Sequence, residues 1–176
     1  NLGLLVCLPK KPITTCNQDT PVYKPEGTRP LCIVDTSNRI LANAFRIRWE
    51  NSIAKLVGNR QRGFLPGRSM LANVIDIEEA AAHAALNHPT PATFLFDFSA
   101  AFPSVSQDYL LQTLAHIGFP TCALNVIRAL YHESRCILSY AGQTWTGFKL
   151  SAGIRQGCPL SPLLFAVVLD PFINHL

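Results

Sequence analysis

Charged residues are scarce in this 176-residue chain: Asp, Glu, Lys and Arg together make up 15% of it, against 48% hydrophobic residues. This balance excludes an intrinsically disordered chain, which needs many charges and few apolar side chains. Long apolar runs are also missing, because those at residues 2–8 and 163–169 are far shorter than the roughly 18 residues of a membrane-spanning helix. With no signal peptide visible either, we expect a soluble intracellular protein.

Motifs that would assign a common enzymatic or metal-binding class are missing too. The six cysteines include no CxxC pair, so neither a zinc ribbon nor a secreted disulfide framework is indicated. The sequence has no GxxxxGK[ST] phosphate loop and no GxGxxG dinucleotide motif. Residues 67–71 read GRSML, which lacks the second glycine of a GxSxG nucleophile elbow. These absences argue against P-loop, Rossmann-type and serine hydrolase enzymes.

Positive charge is concentrated in the first part of the chain. Residues 1–70 hold 11 Lys and Arg against 4 Asp and Glu, a net charge of +7, whereas residues 71–176 hold 4 against 7, a net charge of −3. A basic region of this kind suits a polyanionic partner such as a nucleotide or nucleic acid. An ordinary solvated surface gives the same pattern, so charge alone leaves both interpretations open.

The spacing of apolar and turn residues predicts an α+β fold with a small antiparallel sheet. We expect strands near residues 2–8 and 29–36, helices near 37–57, 70–86, 106–116 and 121–132, a hairpin over 135–150, and a last helix that Ser161 caps and Pro162 opens.

One acidic residue stands in the apolar stretch FLFDFSAAFPSV, at residues 94–105. The pattern predicts a strand around Asp97. A carboxylate at a strand end often binds a hard divalent cation, which makes metal-assisted phosphoryl chemistry a candidate. A haloacid-dehalogenase-type phosphatase would need a second Asp where Ser99 stands. The alternative is a buried Asp whose oxygens accept hydrogen bonds from backbone N–H groups.

A second candidate segment is the Gly- and Pro-rich turn GIRQGCPLSP, at residues 153–162, which leads into the last helix. Such a turn exposes backbone N–H groups and lets a ligand approach closely. Arg155 and Gln156 are placed in it to contact a phosphate or the edge of a base.

Four stretches, in this order, resemble the reverse transcriptase domain of LINE-type (non-LTR) retrotransposons. Residues 29–46 are similar to the RPI…I…R motif of its fingers, and residues 61–69 to its QxGFxxGRS segment. FLFDFSAAFPSV resembles motif A, and GIRQGCPLSPLLF, at residues 153–165, closely resembles motif B. The resemblance implies a single incomplete domain over 1–176, with a polymerase-type fingers-like region at 1–70 and a partial palm at 71–176.

The resemblance also implies a role for each matching residue. Asp97 would be the catalytic, metal-binding aspartate, helped by the backbone carbonyl of Phe98. Phe102 would be the steric gate that rejects a 2′-hydroxyl group, although a plain core role for this ring is the alternative. The incoming dNTP would contact Lys10, Lys11, Arg29, Phe102, Gln156 and Gly157. The template would contact Gln61, Gly63, Phe64, Gly67, Arg68, Ser69 and Arg155.

The implied activity is RNA-directed DNA synthesis, in which dNTPs are added to the 3′ end of a DNA primer on an RNA template. Two Mg²⁺ ions, which Mn²⁺ could replace, are the implied cofactors. The remainder of a retroelement polyprotein is an implied partner, and the complete element would act in the cytoplasm and nucleus.

Two features depart from the family pattern. Pro103 stands where many LINE enzymes have a second acidic residue, one that is not a metal ligand. The second departure concerns motif C, an aromatic residue and Ala followed by two Asp, which does not occur in the sequence. We therefore expect a fragment that by itself binds Mg²⁺ weakly and does not extend a primer.

Two alternatives to a reverse transcriptase remain at this point. A decayed or domesticated RNA-binding fragment would have a stop codon in place of an intact downstream motif C. An RNA-dependent RNA polymerase shares the palm, but the bulky Phe102 and the QxGF…GRS segment argue against it.

Overall fold

Helices and short strands alternate irregularly along the chain, and the computed structural model describes residues 1–10, 12, 14–16, 20–140 and 142–175. The strands are β1 (Leu2–Pro9), β2 (Thr14–Cys16), β3 (Thr20–Val22), β4 (Thr28–Val34), β5 (Arg135–Tyr140) and β6 (Gln143–Lys149). The helices are α1 (Thr36–Leu56), α2 (Met70–Asn87), α3 (Gln107–His116), α4 (Thr121–Tyr131) and α5 (Ser161–His175), with one 3₁₀ turn at Pro25–Gly27. The α+β class is confirmed.

The main sheet has four strands in the order β4-β1-β5-β6, and β2 pairs with β3 separately. Strand β1 is antiparallel to β4, with Gly3 opposite Val34, and parallel to β5, with Gly3 opposite Cys136. Strands β5 and β6 form the predicted antiparallel hairpin. The small sheet was predicted to be antiparallel and is mixed instead, because the parallel β1–β5 pair joins strands that are far apart in sequence and no local pattern reveals such a pairing.

Side-chain caps explain where three of the helices begin. Asp35, Ser69 and Ser106 each accept a hydrogen bond from a backbone N–H of the first helical turn, at 2.9, 3.2 and 3.3 Å. Helix α3 ends before Gly118, whose φ of +85° suits glycine. Ser161 differs from the predicted cap: it is the first residue of α5, and its buried hydroxyl faces Tyr131 instead of a backbone N–H.

The hydrophobic core lies where α1, α3, α4 and α5 meet. Ile53, Leu110, Leu114, Ile127 and Leu164 are among its fully buried side chains. Each such side chain stabilises the fold by about 1.5–3 kcal/mol through removal from water. Because the core fixes α5 relative to α3, the side chains of α5 that lie outside the core project from a rigid helix.

The predicted strand around Asp97 is wrong: residues 91–98 form neither helix nor strand. The exposed fractions of Phe94, Leu95 and Phe96 are 77%, 82% and 91%. An apolar run becomes a strand only when another strand pairs with it, and none of the described strands does so here. Asp97 is therefore exposed, and its Oδ1 accepts a hydrogen bond from the adjacent Phe98 N–H at 2.9 Å.

Helix α2 precedes this segment and contributes no buried residue to the described part of the fold. Its apolar side chains, such as Leu71, Val74 and Ile75, are more than half exposed. None of the described helices has the length and hydropathy to cross a membrane.

Candidate active site

The segment after Asp97 and the Gly-rich turn before α5 are joined backbone to backbone. The Gly153 N–H donates to Val105 O, and the Ile154 N–H donates to Phe102 O, both at 2.8 Å. Gly153 has φ +86°, and a Cβ there would lie 3.0 Å from both Cα and O of Pro103. Only glycine allows this approach, so the turn reaches the motif A segment because residue 153 has no side chain.

Phe102 lies at the centre of a cluster of three rings. It stacks on Phe165 of α5, with centroids 4.6 Å apart and an interplanar angle of 13°. The ring of Phe64 meets it edge to face at 6.5 Å and 81°. The cluster brings together motif A, motif B and the 61–69 segment. Phe102 is half-buried at the edge of the core, and its role as a gate stays a prediction.

Helix α5 also supports the residue next to Asp97. The rings of Phe98 and Phe172 lie 6.1 Å apart at an angle of 66°. Phe165 and Phe172 are separated by two helical turns, about 10.5 Å, and therefore lie on one face of α5. A cavity of about 410 Å³ between motif A and α5 is lined by Phe98, Tyr109, Phe165 and Phe172, among others. Sequence reasoning missed both α5 phenylalanines, although their spacing of seven was a visible signal.

The other side of the turn faces the sheet. Gly157 has φ +94°, and a Cβ there would lie 2.8 Å from the carbonyl oxygen of Cys32 on β4. A cavity of about 210 Å³ lies beside this contact and is lined by Pro30, Cys32, Pro103, Phe148, Arg155 and Gln156, among others. The structure thus brings two of the predicted nucleotide-binding residues, Gln156 and Gly157, next to the strand that carries a third, Arg29.

Lys10 and Arg29 lie at the same end of the β1–β4 pair. Arg29 is opposite Leu8 in the strand register, and the Lys10 N–H donates to Gly27 O at 2.9 Å. Both residues are exposed. Arg29 is three residues from Cys32 along β4, which corresponds to about 10 Å. Both residues therefore lie at the end of the strand pair whose residues Pro30 and Cys32 line the cavity, while Lys11 lies outside the described residues.

Arg155 is buried, with only 7% of its surface exposed. Its guanidinium carbon lies 5.1 Å above the ring of Tyr131, a cation–π contact. Burial raises the pKa of Tyr131 to about 12, so this ring is neutral at physiological pH. Burial also raises the pKa of the Cys32 thiol, and the nearby Arg155 charge partly opposes that shift. No described carboxylate forms an ion pair with Arg155.

The 61–69 segment is held by the side chain of Arg68. Its guanidinium donates to the carbonyl oxygens of Ala54, Val57, Gly58 and Gln61, at 2.5–2.7 Å. Three of these carbonyls lie at the C-terminal end of α1, where a cation is also favoured by the helix dipole. Sequence reasoning missed this anchoring role. The predicted template contact of Arg68 stays a prediction.

Most of the other predicted template residues shape the loop itself, whereas Phe64 faces solvent. Gln61 is buried and its Oε1 accepts from the Gly63 N–H at 2.9 Å, while Ser69 caps α2. Gly67 adopts φ +73° in the turn between them. Phe64 alone presents a large side chain to solvent, with 62% of its surface exposed. The segment therefore forms a fixed loop with one ring projecting from it.

A second contact joins the same helix end to α5. Asp170 accepts a hydrogen bond from the Gly58 N–H at 3.0 Å, through its Oδ1 atom. Arg68 and Asp170 thus fix the C-terminal end of α1 from two sides.

The chain belongs to the family described as "Reverse transcriptase (RNA-dependent DNA polymerase)", which matches residues 8–176. Within that family, the comparisons confirm the resemblance to LINE-type (non-LTR) retrotransposons that the four motifs indicated.

Several curated relatives come from transposable elements. The chain is 27% identical over 145 residues to the "Transposon TX1 uncharacterized 149 kDa protein" of Xenopus laevis, covering 82% of this chain and 11% of that protein. It is 28% identical over 159 residues to the "Retrovirus-related Pol polyprotein from type-2 retrotransposable element R2DM" of Drosophila melanogaster, covering 87% and 14%. The corresponding type-1 R2 protein of Nasonia vitripennis is 29% identical over 175 residues, covering 97% and 16%. The chain thus spans less than a fifth of each of these relatives.

Proposed function

We propose that the protein containing this chain is an RNA-directed DNA polymerase that adds dNTPs to a DNA primer on an RNA template. The observation that supports this most is the joining of motif A to motif B, through two 2.8 Å backbone hydrogen bonds and the Phe102–Phe165 stack. In the proposed arrangement residues 1–70 belong to the fingers and 71–176 to the palm. The four-stranded sheet takes two strands from each region.

Asp97 is the proposed metal ligand. Its carboxylate is exposed, and one oxygen already accepts from Phe98 N–H, which leaves acceptor capacity for a hard cation. The backbone carbonyl of Phe98 would supply a second oxygen. Mg²⁺ prefers octahedral oxygen coordination by one or two carboxylates together with waters and phosphate oxygens. Asp97 fits one position of such a site, and we propose that motif C carboxylates, which are not among these residues, supply the others.

When bound, the two ions supply charge stabilisation for phosphoryl transfer. The residues of this chain bind and orient the nucleotide. Arg29 and Lys10, which are exposed at one end of the β1–β4 pair, would meet the triphosphate, and Gln156 would hydrogen-bond the nucleotide through its amide. The aromatic ring of Phe102 limits the space at the 2′ position of the sugar.

The test uses the protein translated from the complete reading frame, assayed for primer extension on an RNA template. Asp97→Asn keeps the shape of the side chain and removes its charge, so we expect at least about 100-fold lower activity. Asp108→Asn, an exposed position on α3, is the matched control and should stay within about twofold of the unchanged protein. Comparable activity of the two variants would contradict the role of Asp97.

A further inference from the structure

We infer that Phe64 is a specificity-determining residue that acts with Phe102 to select the sugar of the incoming nucleotide. This inference rests on the proposed function. Phe102 is enclosed by two rings, Phe165 stacked on its face and Phe64 at its edge. A gate rejects a 2′-hydroxyl only if it cannot move aside. Phe165 blocks retreat toward α5, and Phe64 blocks rotation toward the 61–69 segment.

The backbone of Phe64 indicates that this ring is present for a reason other than stability. Its φ is +61°, a conformation that phenylalanine rarely adopts, and 62% of its surface is exposed. Exposed apolar surface contributes little to folding, and the positive φ is unfavourable for a residue with a Cβ. Unfavourable conformations persist where the surrounding structure imposes them, and they cluster at functional sites.

The surrounding loop imposes this conformation through its hydrogen bonds. Arg68 contacts four backbone carbonyls, including that of Gln61, and the Gln61 side chain binds the Gly63 N–H. Residues on both sides of Phe64 are therefore fixed to the end of α1. The ring is presented from a rigid loop, so its contact with Phe102 does not depend on a mobile segment.

The first measurement is the ratio of kcat/KM for dNTPs to that for rNTPs, in the protein translated from the complete reading frame. An edge-to-face ring pair is worth about 2- to 12-fold in an equilibrium constant. We therefore expect Phe64→Leu to lower the discrimination by about that factor, and Phe64→Tyr, which keeps a ring, to restore it. Phe45→Leu is the control, because it removes a ring contact with Trp49 on α1, away from the site.

The second measurement separates a selective role from a structural one. Phe64→Gly relieves the positive φ, so we expect the equilibrium constant for folding to be unchanged or up to about fivefold higher, while sugar discrimination falls. A residue that is only structural would give the opposite result, lower stability with unchanged discrimination.

Phe102→Ala identifies which idea fails. If Phe102→Ala admits ribonucleotides and Phe64→Leu does not, the inference about Phe64 is overturned and the gate stands. If neither variant changes the ratio, the gate itself is wrong, and the role of Phe64 falls with it. A higher KM for template with an unchanged sugar ratio would also overturn the inference, because it would assign the ring to the template.

Discussion

Replacing Arg68 should destabilise the fold far more than its place in a loop would suggest. The guanidinium donates to four backbone carbonyls at 2.5–2.7 Å, and no other described side chain donates a hydrogen bond to these oxygens. A hydrogen bond to a charged group contributes about 1.5–3 kcal/mol, but neighbouring bonds are not additive, and water can reach part of the vacated space. We therefore expect Arg68→Ala to lower the free energy of unfolding by about 3–5 kcal/mol.

Two further substitutions provide reference values for the loss expected from Arg68→Ala. Arg68→Lys keeps the charge but replaces a planar fork by a single ammonium group, which reaches only some of the carbonyls, so about half of the loss should remain. Arg46→Ala removes an ion pair with Glu50 at 3.2 Å whose partners are 41% and 25% exposed. Exposed pairs of this kind contribute little, so the expected loss is below about 1 kcal/mol.

The assay is urea unfolding of the chain, followed by the fluorescence of Trp49 on α1 and Trp145 on β6 and by amide hydrogen exchange of residues 58–69. Arg68→Ala should lower the urea concentration at the unfolding midpoint. It should also raise amide hydrogen exchange more in this loop than in any other part of the chain. If Arg68→Ala proved as mild as Arg46→Ala, the four bonds would not anchor the loop, and a template contact would become the better explanation for the residue.

Three other predictions follow from the site. Gly157→Ala should cost about 2 kcal/mol or more and raise the KM for dNTPs, because its Cβ would lie 2.8 Å from Cys32 O at φ +94°. Gly118→Ala, at φ +85° in open space, should cost only about 1 kcal/mol, and equal losses would disprove the steric argument. Phe102→Ala should admit ribonucleotides in primer extension, and unchanged sugar selectivity would end its assignment as a gate. Because burial raises the pKa of Tyr131 to about 12 from an ordinary value near 10, the folded state holds its proton longer. The contribution of the neutral Tyr131 to the free energy of unfolding is complete below pH 10, and about 2–3 kcal/mol of it is lost as the pH rises to 12. Tyr131→Phe should therefore make the free energy of unfolding less dependent on pH between 10 and 12. An unaltered pH dependence would contradict this prediction.

The features that could be predicted from the sequence are those encoded locally. The helices predicted near 70–86 and 106–116 form within about one residue of those bounds, each preceded by a capping serine, and the 135–150 hairpin forms as predicted. The strand around Asp97 could not be predicted correctly from its apolar pattern, since that pattern reports a capacity for burial and says nothing of a partner. The β1–β5 pairing was likewise invisible, because it depends on the path of the whole chain.

The same difference between local signals and contacts of distant segments applies to the residues of the site. Motif positions such as Phe102, Gly153 and Gln156 could be found one by one, but their contacts could not. The four-carbonyl role of Arg68 depends on α1 ending beside the 61–69 loop, and the ring cluster depends on α5 lying along motif A. Both follow from packing of distant segments, which periodicity and composition do not contain.

The parallel pairing of β1 with β5 has a consequence for synthesis on the ribosome. Leu2 lies opposite Arg135, so the two partners are 133 positions apart in the sequence. At about 5–20 residues per second, β1 exists for roughly 7–27 seconds before its central neighbour is made. During that interval only β4 can pair with it, and the other edge of β1 stays open to strands of other chains. Completion of this sheet therefore waits until residue 138 has been made, and until then the open edge of β1 is a place where strands of other chains can pair.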